Sequence, residues 1–177
     1  MRKSHLLPLT CAALCLALCM ILPFLTGQIP SIGRQLSPMH LPVLLCGFVC
    51  GWPYGLAVGL LTPLLRSLIV GMPPLFPTAV GMAAELAVYG LMTGLLYRLL
   101  PKKIGYLYAE LLLAMICGRA VWGLVRYLLA GLSNSEFPFE MFFAGAVTDA
   151  IPGILVQLVL VPLIVEALRK ARLIPDH

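Results

Sequence analysis

Long apolar runs, separated by short breaks of proline, glycine and charge, make up most of the chain. Each run predicts a membrane helix, because roughly 20 apolar residues are needed to cross a bilayer. The predicted spans cover residues 6–25, 40–52, 54–71, 77–98, 106–131 and 140–168. The pattern indicates an all-α membrane protein with six transmembrane helices, built as a single integral-membrane domain over residues 1–177.

The second and third spans are short and lie close together in the sequence. Only Gly51-Trp52-Pro53-Tyr54-Gly55 separates them, which predicts a tight turn and a helical hairpin. The loop over residues 26–39 is longer than a minimal turn and mixes polar with apolar residues. It is compatible both with a lid that folds back over the helices and with a solvated connector.

Composition excludes a water-soluble protein. Hydrophobic residues make up 61% of the chain and charged residues 11%, against about 45–50% apolar and about 25% charged in soluble proteins. The mean hydropathy is +1.01. The first run follows Arg2 and Lys3 but lacks a small-x-small cleavage site, so we expect it to be a retained helix and not a signal peptide.

The net charge of +5 is interpreted as a topology signal and not as a nucleic-acid surface. Basic residues concentrate on the cytoplasmic side of membrane proteins. With six spans, one side receives Arg2, Lys3, Arg98, Lys102, Lys103, Arg169, Lys170 and Arg172. We therefore expect both termini to be cytoplasmic and the chain to be a multi-pass protein of the inner (plasma) membrane.

No enzymatic motif is present in the sequence. It contains no HExxH, no Gly-x-Ser-x-Gly and no P-loop, so we expect neither catalysis nor an ATPase activity of its own, and no cofactor. The cysteines all fall in apolar segments without a CxxC pair, which favours packing over metal binding. They are Cys11, Cys15, Cys19, Cys46, Cys50 and Cys117.

Several polar residues lie within the predicted spans, where a charge costs at least about 2.5 kcal/mol and so indicates a functional site. Most of them share a depth in the outer half of the bundle. Arg119, Trp122 and Arg126 follow i, i+3, i+7 spacing on one helix face, and Glu85 and Tyr89 follow i, i+4 spacing on another. The candidate substrate-binding residues are His40, Arg66, Glu85, Tyr89, Arg119, Trp122, Arg126 and Asp149.

These charges have two interpretations. The carboxylates of Glu85 and Asp149 could pair with arginines only to satisfy one another. Alternatively, three arginines against two carboxylates leave one positive charge, which a monoanionic ligand would balance, and an arginine can hold a carboxylate with two hydrogen bonds.

The first span carries a small-x-x-x-small pattern at Ala13 and Ala17. Small residues let membrane helices approach closely, either within one chain or between chains. Three cysteines lie on roughly the opposite face of the same helix.

Short motifs along nearly the whole chain carry a family resemblance. The sequence resembles the substrate-binding S components of energy-coupling factor (ECF) vitamin transporters. The motifs are Ala13-Leu-Cys-Leu-Ala17, Ser37-Pro-Met-His-Leu-Pro-Val-Leu-Leu-Cys-Gly-Phe48, Gly51-Trp-Pro-Tyr-Gly-Leu56, Thr62-Pro-Leu-Leu-Arg-Ser67, Gly71-Met-Pro-Pro-Leu-Phe-Pro77, Glu85-Leu-Ala-Val-Tyr-Gly90 and Asp149-Ala-Ile-Pro-Gly-Ile154.

The resemblance implies a subunit that captures a scarce micronutrient outside the cell. Such a subunit works with a transmembrane coupling subunit and two cytoplasmic ATPases encoded elsewhere. Ala13 and Ala17 match the family's AxxxA motif, which contacts the coupling subunit. The family's ligand sites lie in the outer halves of the helices, in agreement with the candidate residues above.

The substrate stays open at this stage. The sequence looks nearest to the pantothenate-type group, and folate, pyridoxine-type vitamins, biotin or a queuosine precursor are alternatives. Two other classes of protein also remain: a secondary transporter coupled to protons through Glu85 or Asp149, and a structural or assembly protein whose buried charges only hold helices together.

Overall fold

A computed structural model describes residues 6–25, 38–132, 138–145, 150–171 and 174 of the chain. This described part is helical and contains no β-strand. Its α-helices are α1 (Leu6–Leu25), α2 (His40–Cys50), α3 (Trp52–Val70), α4 (Val80–Leu99), α5 (Ile104–Leu132), α6 (Phe139–Phe143) and α7 (Ile151–Lys170), and a short π-helix over Leu75–Ala79 precedes α4.

Five segments are long and apolar enough to cross a membrane: Leu6–Phe24, Trp52–Val70, Leu75–Leu99, Ile104–Leu132 and Ile151–Lys170. Helix α2 has only 11 residues, a length of about 16 Å, which is roughly half of the hydrocarbon thickness. The prediction of an all-α, multi-pass membrane protein is confirmed. The count of six spans and the cytoplasmic location of both termini stay predictions.

The connection between α2 and α3 is shorter than predicted. In place of a turn over residues 51–55, Gly51 alone separates the two helices, with φ of 91°, a backbone conformation that favours glycine. Pro53 lies in the first turn of α3, where its missing N–H leaves no helical hydrogen bond unmade. The predicted five-residue turn was therefore wrong, because proline starts this helix.

The predicted single span over residues 140–168 was also wrong. The structure has two helices in this region, the short α6 and the longer α7. Pro152 occupies the first turn of α7, a position that favours the start of a helix. The sequence prediction counted Asp149, which lies between the two helices in the sequence, as a charge within one span.

Helix α4 is the centre of the bundle and packs against α2, α3 and α5. Its contact with α3 is made through glycines. A side chain on Gly90 would collide with the backbone of Gly55, and a side chain on Gly59 would collide with the carbonyl group of Leu86. The backbones of α3 and α4 lie this close because Gly55, Gly59 and Gly90 carry no side chain. Small residues at helix contacts are the usual mode of tight packing within membranes.

We predict that Gly90→Ala destabilises the protein by about 1–3 kcal/mol, because the added methyl group forces α3 and α4 apart. The measurement is the unfolding temperature of the purified protein in detergent. Gly105→Ala is the matched control, since nothing lies within 4 Å of that position. Equal unfolding temperatures for the two variants would contradict the close approach of α3 and α4.

Candidate functional site

A buried carboxylate lies at the centre of the polar cluster between α4 and α5. Glu85 is 1% exposed. Its Oε1 atom accepts a hydrogen bond from the Tyr89 hydroxyl at 3.0 Å and forms an ion pair with Arg119 Nη1 at 3.1 Å. One oxygen atom thus receives a neutral donor from its own helix and a charged donor from α5, as a carboxylate away from water requires.

His40 completes this cluster from the first residue of α2. Its Nε2 atom lies 3.6 Å from Glu85 Oε1, longer than a hydrogen bond. Its ring meets the Tyr89 ring edge to face, with centroids 5.4 Å apart. His40 is 2% exposed, so the short α2 begins inside the bundle.

The approach of Arg119 and Tyr89 depends on a glycine. A side chain at Gly118 would collide with the Tyr89 ring, so its absence lets α5 lie directly against that ring. Arg119, the next residue, is then brought to the Glu85 carboxylate. The Arg119 side chain is 16% exposed, so it is more accessible than the Glu85 carboxylate with which it pairs.

Some polar atoms in the cluster have no hydrogen-bond partner. They are both ring nitrogens of His40 and the Nε atom of Arg119, and all three are buried. Buried polar atoms in native proteins are nearly always paired with protein groups or water. The cluster therefore has hydrogen-bonding capacity that its own side chains do not use.

A second layer, named the outer layer after the predicted topology, lies toward the C-terminal end of α5. Arg126 is seven residues beyond Arg119, about 10 Å along the helix axis. A methyl group on Gly81 of α4 would lie 3.1 Å from Arg126 Cδ and 3.6 Å from Trp122 Cδ1, so both side chains lie against the start of α4. The cation and the indole therefore share one level above the Glu85 cluster.

Helix α6 covers this outer layer. The Phe142 ring stacks on the Trp122 ring, with centroids 6.2 Å apart and an interplanar angle of 27°. A side chain on Gly123 would collide with the Phe142 ring, so that glycine provides the space for the stack. Phe142 was not singled out from the sequence, because nothing in an apolar Phe-Glu-Met-Phe-Phe segment predicts which ring faces inward.

Arg66 is not brought into contact with Glu85. Its Nη1 atom donates to the Met20 carbonyl of α1 at 2.9 Å, and its guanidinium lies 5.1 Å from the centre of the Phe24 ring. In the structure Arg66 thus ties α3 to α1. Asp149 lies outside the described residues.

One buried acid escaped the sequence analysis. Glu110 of α5 is 1% exposed, and its Oε2 atom has no hydrogen-bond partner. It lies two helical turns before Gly118, on the same face of α5. The signal was a lone carboxylate in an apolar run, the same signal that identified Glu85.

The residues predicted for the coupling-subunit interface are accessible. Ala13 and Ala17 are both exposed on α1, beside the exposed Leu14 and Leu18, whereas Cys19 of the same helix is buried. No group of three or more His, Cys, Asp or Glu side chains within the described ranges is arranged to hold a metal ion.

Comparison with protein families identifies the chain. The model of the family "ECF transporter, substrate-specific component" matches residues 8–172. Neither the comparison with curated proteins nor that with solved structures gives a match. Members of this family are substrate-binding subunits of transport complexes and not enzymes. Because the match covers nearly the whole sequence, the chain belongs to the substrate-specific S components of ECF transporters.

Proposed function

We propose that this S component captures a monoanionic micronutrient of the pantothenate type from outside the plasma (inner) membrane. It passes the ligand to a complex formed with a transmembrane coupling subunit and two cytoplasmic ATPases. The observation that carries the proposal is the buried cluster of Glu85, Tyr89, Arg119 and His40, with its unused hydrogen-bonding atoms.

The unused atoms indicate the chemistry of the ligand's polar end. The Arg119 Nε–H is a donor without an acceptor, so it suits a carbonyl or carboxylate oxygen. A neutral His40 carries one donor and one acceptor nitrogen, so it suits a hydroxyl or amide group. A ligand that carries hydroxyl, amide and carboxylate groups supplies all of these, and pantothenate is such a molecule.

The charge of the site favours an anion. Glu85 compensates Arg119 through the ion pair at 3.1 Å, and the sequence count of three arginines against two carboxylates in the proposed set leaves one positive charge. Arg66 directs its charge to a carbonyl group of α1, so its role toward the ligand is the weakest part of the proposed set. Asp149 stays in that set on the sequence pattern alone.

The first experiment is native mass spectrometry of the detergent-purified chain from cells grown in rich medium. We expect a co-purifying mass of vitamin size, with pantothenate the first candidate. A protein that is empty, and whose unfolding temperature no vitamin in a panel of pantothenate, biotin, folate and pyridoxine raises, would contradict the proposal.

Arg126→Ala should weaken pantothenate binding by more than about tenfold, equivalent to about 1.4 kcal/mol, because the outer layer loses its cation. Isothermal titration measures the affinity. Arg98→Ala is the matched control, since this exposed arginine lies at the opposite end of α4. Equal affinities for the two variants would remove Arg126 from the site.

The Glu85–Arg119 pair allows a test of ligand binding against simple charge compensation. Arg119→Gln leaves a buried carboxylate without its cation and should cost about 3–5 kcal/mol of stability. The double variant Glu85→Gln/Arg119→Gln is uncharged at both positions and should recover much of the unfolding temperature. We expect pantothenate affinity to stay low in both variants, whereas a double variant that binds like the wild type would make the pair purely structural.

The double variant Ala13→Trp/Ala17→Trp should block assembly with the coupling subunit and the ATPases, because two indoles prevent close approach to α1. Co-purification of the complex from membranes measures assembly, and pantothenate titration of the isolated chain should be unchanged. The control is Ala120→Trp, at an exposed alanine of α5. Normal assembly of the double variant would exclude this face as the interface.

A further inference from the structure

Three side chains from three helices meet at one oxygen atom of Glu85. Its Oε1 atom lies 3.0 Å from the Tyr89 hydroxyl, 3.1 Å from Arg119 Nη1 and 3.6 Å from His40 Nε2. A carboxylate oxygen accepts hydrogen bonds through two lone pairs, and the Tyr89 and Arg119 donors use both. This oxygen therefore holds its neighbours in place and has no capacity left for a ligand.

The contact with Glu85 uses only the Nη1 corner of the Arg119 guanidinium. The guanidinium is a rigid plane with five N–H donors, and its Nε–H lies on the edge away from Nη1, beside Nη2. The Nε atom is buried and has no hydrogen-bond partner. One corner is thus fixed by the protein, whereas the Nε–H is withdrawn from water and still lacks an acceptor.

The Nε edge of a guanidinium has the geometry that a carboxylate fits. The Nε–H and the neighbouring Nη–H are parallel, so they donate to the two oxygens of one carboxylate. A hydroxyl group offers a single oxygen, and an amide places an NH₂ donor against the second N–H. This edge therefore distinguishes an acid from its alcohol or amide, which the point charge of a lysine does not.

Packing holds the Arg119 plane before a ligand arrives. Gly118 lets α5 lie against the Tyr89 ring, and the His40 ring meets the Tyr89 ring at 62° with centroids 5.4 Å apart. Groups that are fixed in advance lose little conformational entropy on binding. The guanidinium is therefore oriented by folding, through Glu85 and its neighbours.

We propose that Glu85 is a positioning residue, which fixes Arg119 through Nη1 so that the Nε edge of Arg119 holds the ligand's carboxylate with two hydrogen bonds. The inference rests on the proposed capture function and adds the contact that selects an acid over its alcohol or amide. Glu85 and the ligand then share one cation, so their negative charges repel each other across the guanidinium.

Isothermal titration of the full chain in detergent compares pantothenate with pantothenol, in which a CH₂OH group replaces the carboxylate. We expect the acid to bind at least about tenfold more tightly, since hydrogen bonds between charged groups are the stronger ones. Arg119→Lys keeps a cation for Glu85 but lacks the planar edge, so the preference should fall below about threefold. Arg98→Lys, at the exposed end of α4, is the matched control and should keep the full preference.

Glu85→Gln separates positioning from direct contact with the ligand. The glutamine oxygen still accepts from Arg119 Nη1, but the negative charge that opposes the ligand is gone. We expect pantothenate to bind about threefold more tightly or better, with the pantothenol affinity unchanged. An equal loss of affinity for both compounds in a folded variant would assign Glu85 to the ligand and overturn the proposal. Arg119→Lys carries the test if Glu85→Gln does not fold.

A second pair of probes, biotin and biotin amide, separates failure of this inference from failure of the proposed function. A preference for biotin that Arg119→Lys removes, in a protein that binds no pantothenate, would support the Arg119 contact and contradict the pantothenate-type function. No preference for the acid in either pair, or a preference that Arg119→Lys retains, would overturn the inference.

Discussion

A carboxylate buried inside a membrane protein needs hydrogen-bond donors held at fixed positions, and Glu85 is such a carboxylate. Its Oε1 atom takes the Tyr89 hydroxyl and the Arg119 guanidinium, with the His40 ring next to them. Charge attraction at low dielectric is strong only when the geometry holds. Helices α2, α4 and α5 must therefore keep their mutual positions for this charge to be tolerated.

The glycine contacts of α4 provide that rigidity. Gly90 and Gly55 bring α4 against α3 at backbone distance, and Gly118 lets α5 settle on the Tyr89 ring. Backbone groups have few alternative positions, so contacts between them define the spacing of helices more tightly than long side chains do. Glu85 and Tyr89 of α4 meet α5, whereas Gly90 of the same helix meets α3, which allows one helix both to pack tightly and to carry charge.

Apolar length and proline position explain how far the sequence predicts the fold. The bounds of α1 agree with the predicted span 6–25, and α5 lies within a few residues of its prediction, because basic residues precede each run and uncharged polar residues follow it. The break before α7 was missed because Asp149, which precedes it, was interpreted as a buried charge inside one span. Helical spacing placed Arg119, Trp122 and Arg126 on one face of α5, but spacing within a helix says nothing of the partner helix. Contacts between helices could therefore be identified only from the tertiary structure. Two examples are the hydrogen bond from Arg66 to the Met20 carbonyl and the stacking of Phe142 on Trp122.

Trp122 touches both the covering helix α6 and the start of α4, and this double contact has an optical consequence. The chain has only two tryptophans, and the other, Trp52, lies at the junction of α2 and α3 and is 40% exposed. A ligand bound at the proposed site would change the surroundings of the Trp122 indole and leave those of Trp52 unchanged. Trp122 would then act as a fluorescent reporter of occupancy, and Trp52 as its internal reference, without any added label.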